Sequence, residues 1–376
     1  MKKIKLLYIT NLPSPYTIEF LNKLNENFDL FVVFERKFSL DRTKKWFAGN
    51  FKFKHTFLKG LNIGNENSFK PVIIKYLFKP FDIYFANYDS FTGMFFYLFK
   101  KLFFSKKIFF HKIDGHTFKN RKGLILIFKK FLMNTPTLHF SPSKNIDQYL
   151  ISMGIIPEKI RRYNFSSITN QKYHNILTQI NDKNLYNLRN KLNIPVDSKV
   201  LLYVGRFTYR KRLNILFDLI NILPSDFFMI FIGGQTDQFT KRIIEKNIFK
   251  SNIKLIEYLN FNDLTEYYLA ANYLVLNPLF EPWGLVVNEA LAHGLKVITN
   301  SRCNAGIEMV GNSLEYGLVI DFDNSGNIQF LKNTITNLDF SFNISEKFRI
   351  SNSFINYTID NMVNHISKNI YEYFKF

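Results

Sequence analysis

Short runs of β-branched and aromatic residues alternate with helix-patterned segments along most of this chain, and this alternation most narrows what it can fold into. Such alternation is the signature of βαβ units and parallel sheets. In the first half, strands are expected at Ile4 to Ile9, Leu30 to Phe34, Asp82 to Phe85, Lys107 to Lys112 and Leu138 to Phe140. Helices fall after Pro15, at about Gly93 to Phe104, at about Leu124 to Met133, and from Ser141 or Ser143 to near Gly154. The series restarts at Lys199 to Val204, just after the turn-rich Ile194-Pro195-Val196-Asp197-Ser198. It continues through a helix Leu213 to Leu223, strands Phe228 to Ile232 and Ile253 to Ile256, and a helix Asp263 to Ala271. Strand Tyr273 to Leu276, helix Leu285 to His293 closed by Gly294, and strand Lys296 to Thr299 complete it. The reading is α/β: two doubly wound domains, 1–195 and 196–354, with a closing helix at about 355–376 packing back on the first. Sheets of this kind bind ligands beyond the carboxyl ends of their strands, so a cleft between the two domains is expected. A length of 376 residues suits two domains, and no repeat of solenoid length is visible.

Charge divides the same way. Residues 1–195 hold 33 Lys/Arg against 12 Asp/Glu, a net +21, whereas the remainder carries 17 against 18. The first domain therefore faces something anionic: nucleic acid, a membrane surface or an anionic substrate. With 43 Phe and 20 Tyr, the chain is no disordered polymer. The only cysteine, Cys303, permits neither an internal disulfide nor a cysteine-based zinc site, which suits a reducing compartment. The opening MKKIKLLYITNLPSPY is basic, but its apolar run ends at Asn11, too soon for a signal-peptide core. No stretch reaches about 18 uncharged apolar residues, so a spanning helix is not expected. A cytoplasmic protein, free or lying on a membrane, is the expectation.

The segment Asn277 to Asn300, NPLFEPWGLVVNEALAHGLKVITN, carries the most chemistry. A buried strand ends at Asn277, a loop holds Glu281-Pro282-Trp283-Gly284, and a helix begins near Leu285. The uncapped amides and positive dipole end of a helix start seat phosphate, and Gly284 has no side chain to block approach. Glu289 lies about 6 to 8 Å further along the helix axis. Neither carboxylate suits a phosphate contact, but both can accept hydrogen bonds from hydroxyls on either side of a diphosphate. The spacing alone fits equally a solvated helix residue at 289 and a loop charge at 281. After the strand KVLLYV comes Gly205-Arg206-Phe207-Thr208-Tyr209-Arg210-Lys211. Fixed cations at Arg206 and Lys211 can neutralise a diphosphate leaving group, a task a metal performs elsewhere; Arg210 and Arg212 read as a solvated basic loop.

The GR-x4-K pattern (Gly205, Arg206, Lys211), the Gly233-Gly234 pair and the E-x7-E pattern from Glu281 to Glu289 together resemble the retaining glycosyltransferases of family 4, which have the two-domain GT-B fold. The resemblance is strong over about Lys199 to Val310 and fair over Ser141 to Ile160. It implies that Arg206 and Lys211 bind the donor diphosphate and Glu281 faces the transferred sugar. The backbone around Gly284, Leu285 and Val286 would hold sugar and phosphate, and Glu289 the ribose hydroxyls. It further implies a UDP- or GDP-sugar donor as substrate, no metal or other cofactor, and a front-face route in which the departing phosphate helps to deprotonate the acceptor. In the family a histidine after the fourth strand of the first domain reaches the sugar. Here FFHKIDGHTF offers His116 first, then Asp114, with His111 inside the strand and assigned to the core. The first loop, Asn11 to Tyr16, lacks the family's Gly-Gly turn and offers Ser14 and a helix start instead. Backbone around Tyr258 is the candidate for base recognition.

Thr43 to Gly60, Gly93 to Lys107 and Lys119 to Leu132 interleave Lys/Arg with Phe and Leu. They fit a surface lying on anionic lipid headgroups, at about 1 kcal/mol per basic residue, or else core helices with solvated lysines. A lipid-linked or glycan acceptor, an anionic membrane surface on the inner face, no nucleic acid, and a place in capsule or lipopolysaccharide assembly are the resulting expectations. A nucleotide-sugar epimerase or phosphorylase on the same fold is the alternative; a nucleic-acid-binding protein would match the charge but shows no recognised motif. No strand is followed by G-x-G-x-x-G, against a nicotinamide dehydrogenase. The one D-x-D pattern, Asp321-Phe322-Asp323, reads as a surface turn.

Overall fold

The computed structural model describes residues 3–38, 49–63, 67–86, 90–115, 123–234, 236–247, 251–320, 322, 328–341 and 343–374. The chain divides into two compact units, one running to Ser166 and resuming at Thr358, the other comprising Ser167–Tyr357. The first contains Lys5–Thr10 (β1), Pro15–Asn27 (α1), Asp29–Phe34 (β2), Lys54–Phe57 (β3), Leu61–Ile63 (β4), Asn67–Phe69 (β5), Ile83–Ala86 (β6), Phe91–Phe103 (α2), Ile108–Lys112 (β7), Leu124–Met133 (α3), Leu138–Ser141 (β8), Lys144–Ser152 (α4) and Ile160–Arg162 (β9). The second contains Asn170–Gln179 (α5), Asp182–Lys191 (α6), Lys199–Val204 (β10), Leu213–Ile222 (α7), Phe227–Ile232 (β11), Gln238–Asn247 (α8), Ile253–Ile256 (β12), Phe261–Ala270 (α9), Tyr273–Val275 (β13), Leu285–Ala292 (α10), Lys296–Thr299 (β14), Asn304–Met309 (α11), Gly317–Val319 (β15), Ile328–Thr336 (α12) and Ile344–Ser353 (α13). Ile359–Tyr373 (α14) then rejoins the first unit.

In the first unit seven parallel strands lie in the order β3-β2-β1-β6-β7-β8-β9. Helices cover both faces of such a sheet, so its central strands are apolar along their whole length; β6 is buried at all four positions. Ser14, Ser90 and Ser143 start α1, α2 and α4 by accepting from the amides of Thr17, Gly93 and Ile146. Aromatic rings fill the core, with Tyr97 and Phe109 centroids 4.5 Å apart. The closing α14 lies along α1 through Asp360 to Lys23 at 3.2 Å, Ser367 to Asn27 at 3.0 Å, and Tyr371 stacked on Phe28.

The second unit has six parallel strands in the order β12-β11-β10-β13-β14-β15. Numbered within the unit this is 3-2-1-4-5-6, so the winding direction reverses between β10 and β13, and the crevice at that reversal is where open α/β sheets bind ligands. The two domains are therefore Rossmann-like, with parallel sheets.

The split falls at Ser166, not at 195. Residues 170–194 belong with the second unit because their anchors are buried there: Tyr173 reaches Ser351, and the Arg189 guanidinium donates to Ala270 O and Asn272 Oδ1 at 3.0 Å. The turn-rich Ile194 to Ser198 is a loop inside this unit. Strands β3 (KHTF) and β9 (IRR) are additions at the two sheet edges, where charged and half-buried residues hide the apolar pattern.

Candidate active site

Because β10 and β13 are neighbours at the reversal, the two loops singled out by sequence leave the sheet side by side. Gly205 N continues the ladder to Ile232 O at 2.9 Å, and Leu279 N donates to Arg210 O at 2.8 Å, tying one loop to the other. Tyr209–Lys211 forms a single 3₁₀ turn closed by Arg212 in the left-handed region at φ 53°. That turn carries the Lys211 side chain inward, where its Nζ pairs with Glu281 Oε2. Their side chains are 11% and 15% exposed. Burial raises the Glu281 carboxyl, but Lys211, with Arg210 and Arg206, overrides it and holds the group below the ordinary carboxylate value. Arg210 lies 5.0 Å over the Phe280 ring, so it is a second member of the cationic rim and not a merely solvated charge. Arg206 is half-buried, its carbonyl accepting from Tyr203 OH at 2.9 Å.

Gly284 begins α10 at φ 105° with no side-chain cap. A Cβ there would sit 2.8 Å from Cys303 Sγ and 3.3 Å from Glu281 Cγ, so only glycine fits. The loop is braced by Glu281 N to Arg302 O at 2.9 Å and Trp283 Nε1 to Asn288 Oδ1 at 2.8 Å. The amides of Leu285 and Val286 lie in the first turn of a helix whose start is left to the loop.

Glu289 is not a solvated helix residue. Its two carboxylate oxygens accept from Ser167 Oγ at 2.8 Å and Tyr268 OH at 2.9 Å. Burial lifts its pKa and these hydrogen bonds work against the rise. Ser167 and Tyr268 hold the candidate residue Glu289 and are not signalled by the sequence: one sits in a bend and the other in the apolar pattern of α9. Behind them lies buried His293, stacked on Tyr268 with centroids 4.8 Å apart and with Nδ1 2.6 Å from Glu289 O. Burial lowers this histidine to about 4. It stays neutral where an unfolded histidine, at 6.5, takes a proton, so its contribution is complete above about pH 6.5 and is lost as pH falls toward 4. Thermal melts between pH 7 and 4.5 check this. His293→Phe keeps the ring stack and flattens the slope, and a variant that loses stability as steeply as the wild type refutes the assignment.

Tyr258 follows β12 and is 42% exposed, and a Cβ on Gly234 would be 3.8 Å from its Cβ. The second unit thus gathers Arg206, Lys211, Glu281, Gly284, Leu285, Val286 and Glu289 along the carboxyl edge of one sheet, with Tyr258 at the end of β12. Ser14, Asp114 and His111 belong to the first unit. Ser14 caps α1, its hydroxyl 2.5 Å from Thr17 Oγ1. Asp114 pairs with buried Lys112 and accepts from Tyr163 OH at 3.1 Å. His111 is buried against His139, Nδ1 to Nδ1 3.1 Å. His116, Asp321 and Asp323 lie outside the described residues.

Residues 186–337 match the family described as glycosyl transferases group 1. Among curated proteins, the chain is 27% identical over 118 residues to an uncharacterised glycosyltransferase of Methanocaldococcus jannaschii, a match covering 31% of this chain and 30% of that protein. It is 24% identical over 281 residues to a 41.2 kDa protein in the cps region of Klebsiella pneumoniae, covering 72% and 74% respectively. Among solved structures it resembles Anabaena HepE in complex with UDP and glucose, with TM-score 0.72 at 14% identity over 98% of this chain and 100% of that one. The fold is that of GT-B glycosyltransferases, and the match of residues 186–337 to the group 1 model, with the glycosyltransferase relative, supports an enzyme of that class.

Proposed function

We propose that the protein is a retaining, metal-independent glycosyltransferase of family 4 that moves a hexosyl group from a nucleotide sugar to a lipid-linked or glycan acceptor. The observation that carries this reading is the Lys211–Glu281 pair beside Arg206, the uncapped start of α10 and the hydrogen-bonded Glu289. Arg206 and Lys211 offset the charge that develops on the departing diphosphate, and the amides of Leu285 and Val286 approach its oxygens. Glu281, kept ionised by its cations, accepts from sugar hydroxyls, and Glu289 accepts from the ribose. The bond from the anomeric carbon to the phosphate oxygen breaks, the acceptor oxygen bonds on the same face, and its proton passes to the leaving phosphate. UDP- or GDP-sugars are the donor classes, a reading supported by the UDP complex of the structural relative. Surface polysaccharide synthesis, as capsule or lipopolysaccharide, at an anionic membrane on the cytoplasmic face is supported by the cps-region relative and by the basic first half of the sequence.

The test is a thermal-shift panel of UDP-, GDP- and ADP-sugars on the wild type and Glu289→Ala. One donor class at about 100 times its Kd raises wild-type stability by about 2.7 kcal/mol, and the variant gives no comparable response. A panel in which nothing stabilises the wild type, or in which the variant responds equally, removes the site assignment. Product analysis with labelled donor then separates transfer from epimerisation.

A further inference from the structure

In the first unit, α3 reads LILIFKKFLM and is apolar on its exposed side as well as on the side that meets the core. Leu132 and Met133 are buried in the core with Leu126 packed against it, while Leu124, Ile127, Phe128 and Phe131 are 42–83% exposed. At about 100° per residue these four positions fall within about 100° of arc on the face away from the core. The end of α2 extends the patch: Leu102 and Phe103 are 57% and 66% exposed, and Lys101 joins the two helices by lying 3.7 Å over the Phe131 ring and donating to its carbonyl at 2.5 Å. A patch of large apolar side chains this dense is a contact surface and not scattered exposure.

Charge identifies what it contacts. From Phe91 to Asn134 the sequence holds ten Lys/Arg and a single acid, Asp114, which is already paired with Lys112; Lys100, Lys112 and Lys129 are buried, while Lys101, Lys106, Lys107 and Lys130 reach the surface around the stripe. A second copy of the chain would bring like charge against like charge across the apolar stripe. An anionic bilayer supplies both an apolar phase for the stripe and a negative surface for its basic flanks. Among the described residues no helix is long and apolar enough to cross a membrane, so contact is by lying in the interface.

We propose that the exposed face of α3, with the end of α2, is the element that inserts into an anionic membrane, its axis parallel to the surface and Leu124, Ile127, Phe128 and Phe131 reaching the acyl boundary. This rests on the membrane reading above and adds the surface and the mode, apolar insertion guided by charge. The full chain is floated with phosphatidylcholine vesicles and with vesicles containing about a third phosphatidylglycerol, at 0.1 and 0.5 M NaCl, as wild type, Ile127→Glu/Phe128→Glu and the single Leu124→Glu. The wild type floats with anionic vesicles and keeps part of that binding at high salt, because buried apolar contact is not screened. The double variant, melting like the wild type, binds at least about tenfold more weakly. Leu124→Glu, at the most exposed position, gives a smaller loss in the same direction and guards against a folding defect in the pair. Equal flotation of all three overturns the assignment to α3 and leaves membrane binding standing. Wild type that floats with no vesicle overturns both. A wild-type dimer by light scattering that Leu124→Glu dissociates, without vesicle binding, overturns the proposal in favour of self-association.

Discussion

Lys211→Ala is expected to lower kcat/KM by about 10²- to 10³-fold, the range for losing one fixed electrostatic group at a developing charge, and to destabilise the second unit by about 3 kcal/mol. Both effects have one origin. Lys211 is the group in contact with Glu281, and both side chains are nearly buried. Without it the carboxylate keeps the desolvation that raises its pKa and retains only the more distant Arg210 and Arg206 as offset. The paired carboxyl titrates below its unfolded value, so the pair's contribution is fully present above the ordinary carboxylate range and is lost as pH falls through the folded value. The stability gap between wild type and variant, measured by chemical denaturation, is therefore widest at neutral pH and narrows in acid. Lys211→Met/Glu281→Gln removes both charges and separates the two effects, since it regains most of the stability and none of the activity. Equal turnover in wild type and Lys211→Ala would sink the role given to this lysine.

What could be read from sequence divides along a physical line. β10 and β11 were legible because a strand covered on both faces is an uninterrupted apolar run, KVLLYV and FFMIFI. Glu281, Glu289, Arg206 and Lys211 were legible because each sits at a fixed offset from the end of such a strand or the start of a helix. The partners that hold Glu289 were not, since Ser167 lies 122 residues away and Tyr268 lies 21 residues away on another helix. No local pattern encodes which hydroxyl a fold will bring to a carboxylate. The domain boundary failed for a related reason. Ile194 to Ser198 has the turn residues of a linker, and only the burial of Tyr173 and Arg189 against the second unit shows that the chain has already crossed. Arg210 reads locally as a solvated loop charge, and only its stacking on Phe280 and its field at Glu281, both products of the fold, set it apart.

Adjacent glycines in the Gly233-Gly234 pair should behave in opposite ways. A Cβ on Gly233 would lie 1.8 Å from Gly205 O and 3.0 Å from Phe207 Cε1. The first of these is backbone in the neighbouring strand's exit loop, so no rotamer change relieves it and β10 and β11 must separate at their carboxyl ends. Gly233→Ala is expected to destabilise the unit by about 3 kcal/mol or more, a fall of about 6 to 12 °C in Tm for a unit of this size. Because the displaced carbonyl belongs to Gly205, the shift carries Arg206 with it, and the stabilisation by nucleotide sugar falls as well. Gly234 is different. The nearest atom to its Cβ would be 3.8 Å away, on Tyr258, an ordinary contact, so Gly234→Ala changes unfolding by no more than about 0.5 kcal/mol. Parallel denaturation of the two single variants decides the matter. If both cost the same, the close approach of Gly233 to Gly205 is not what holds the Arg206 loop in place.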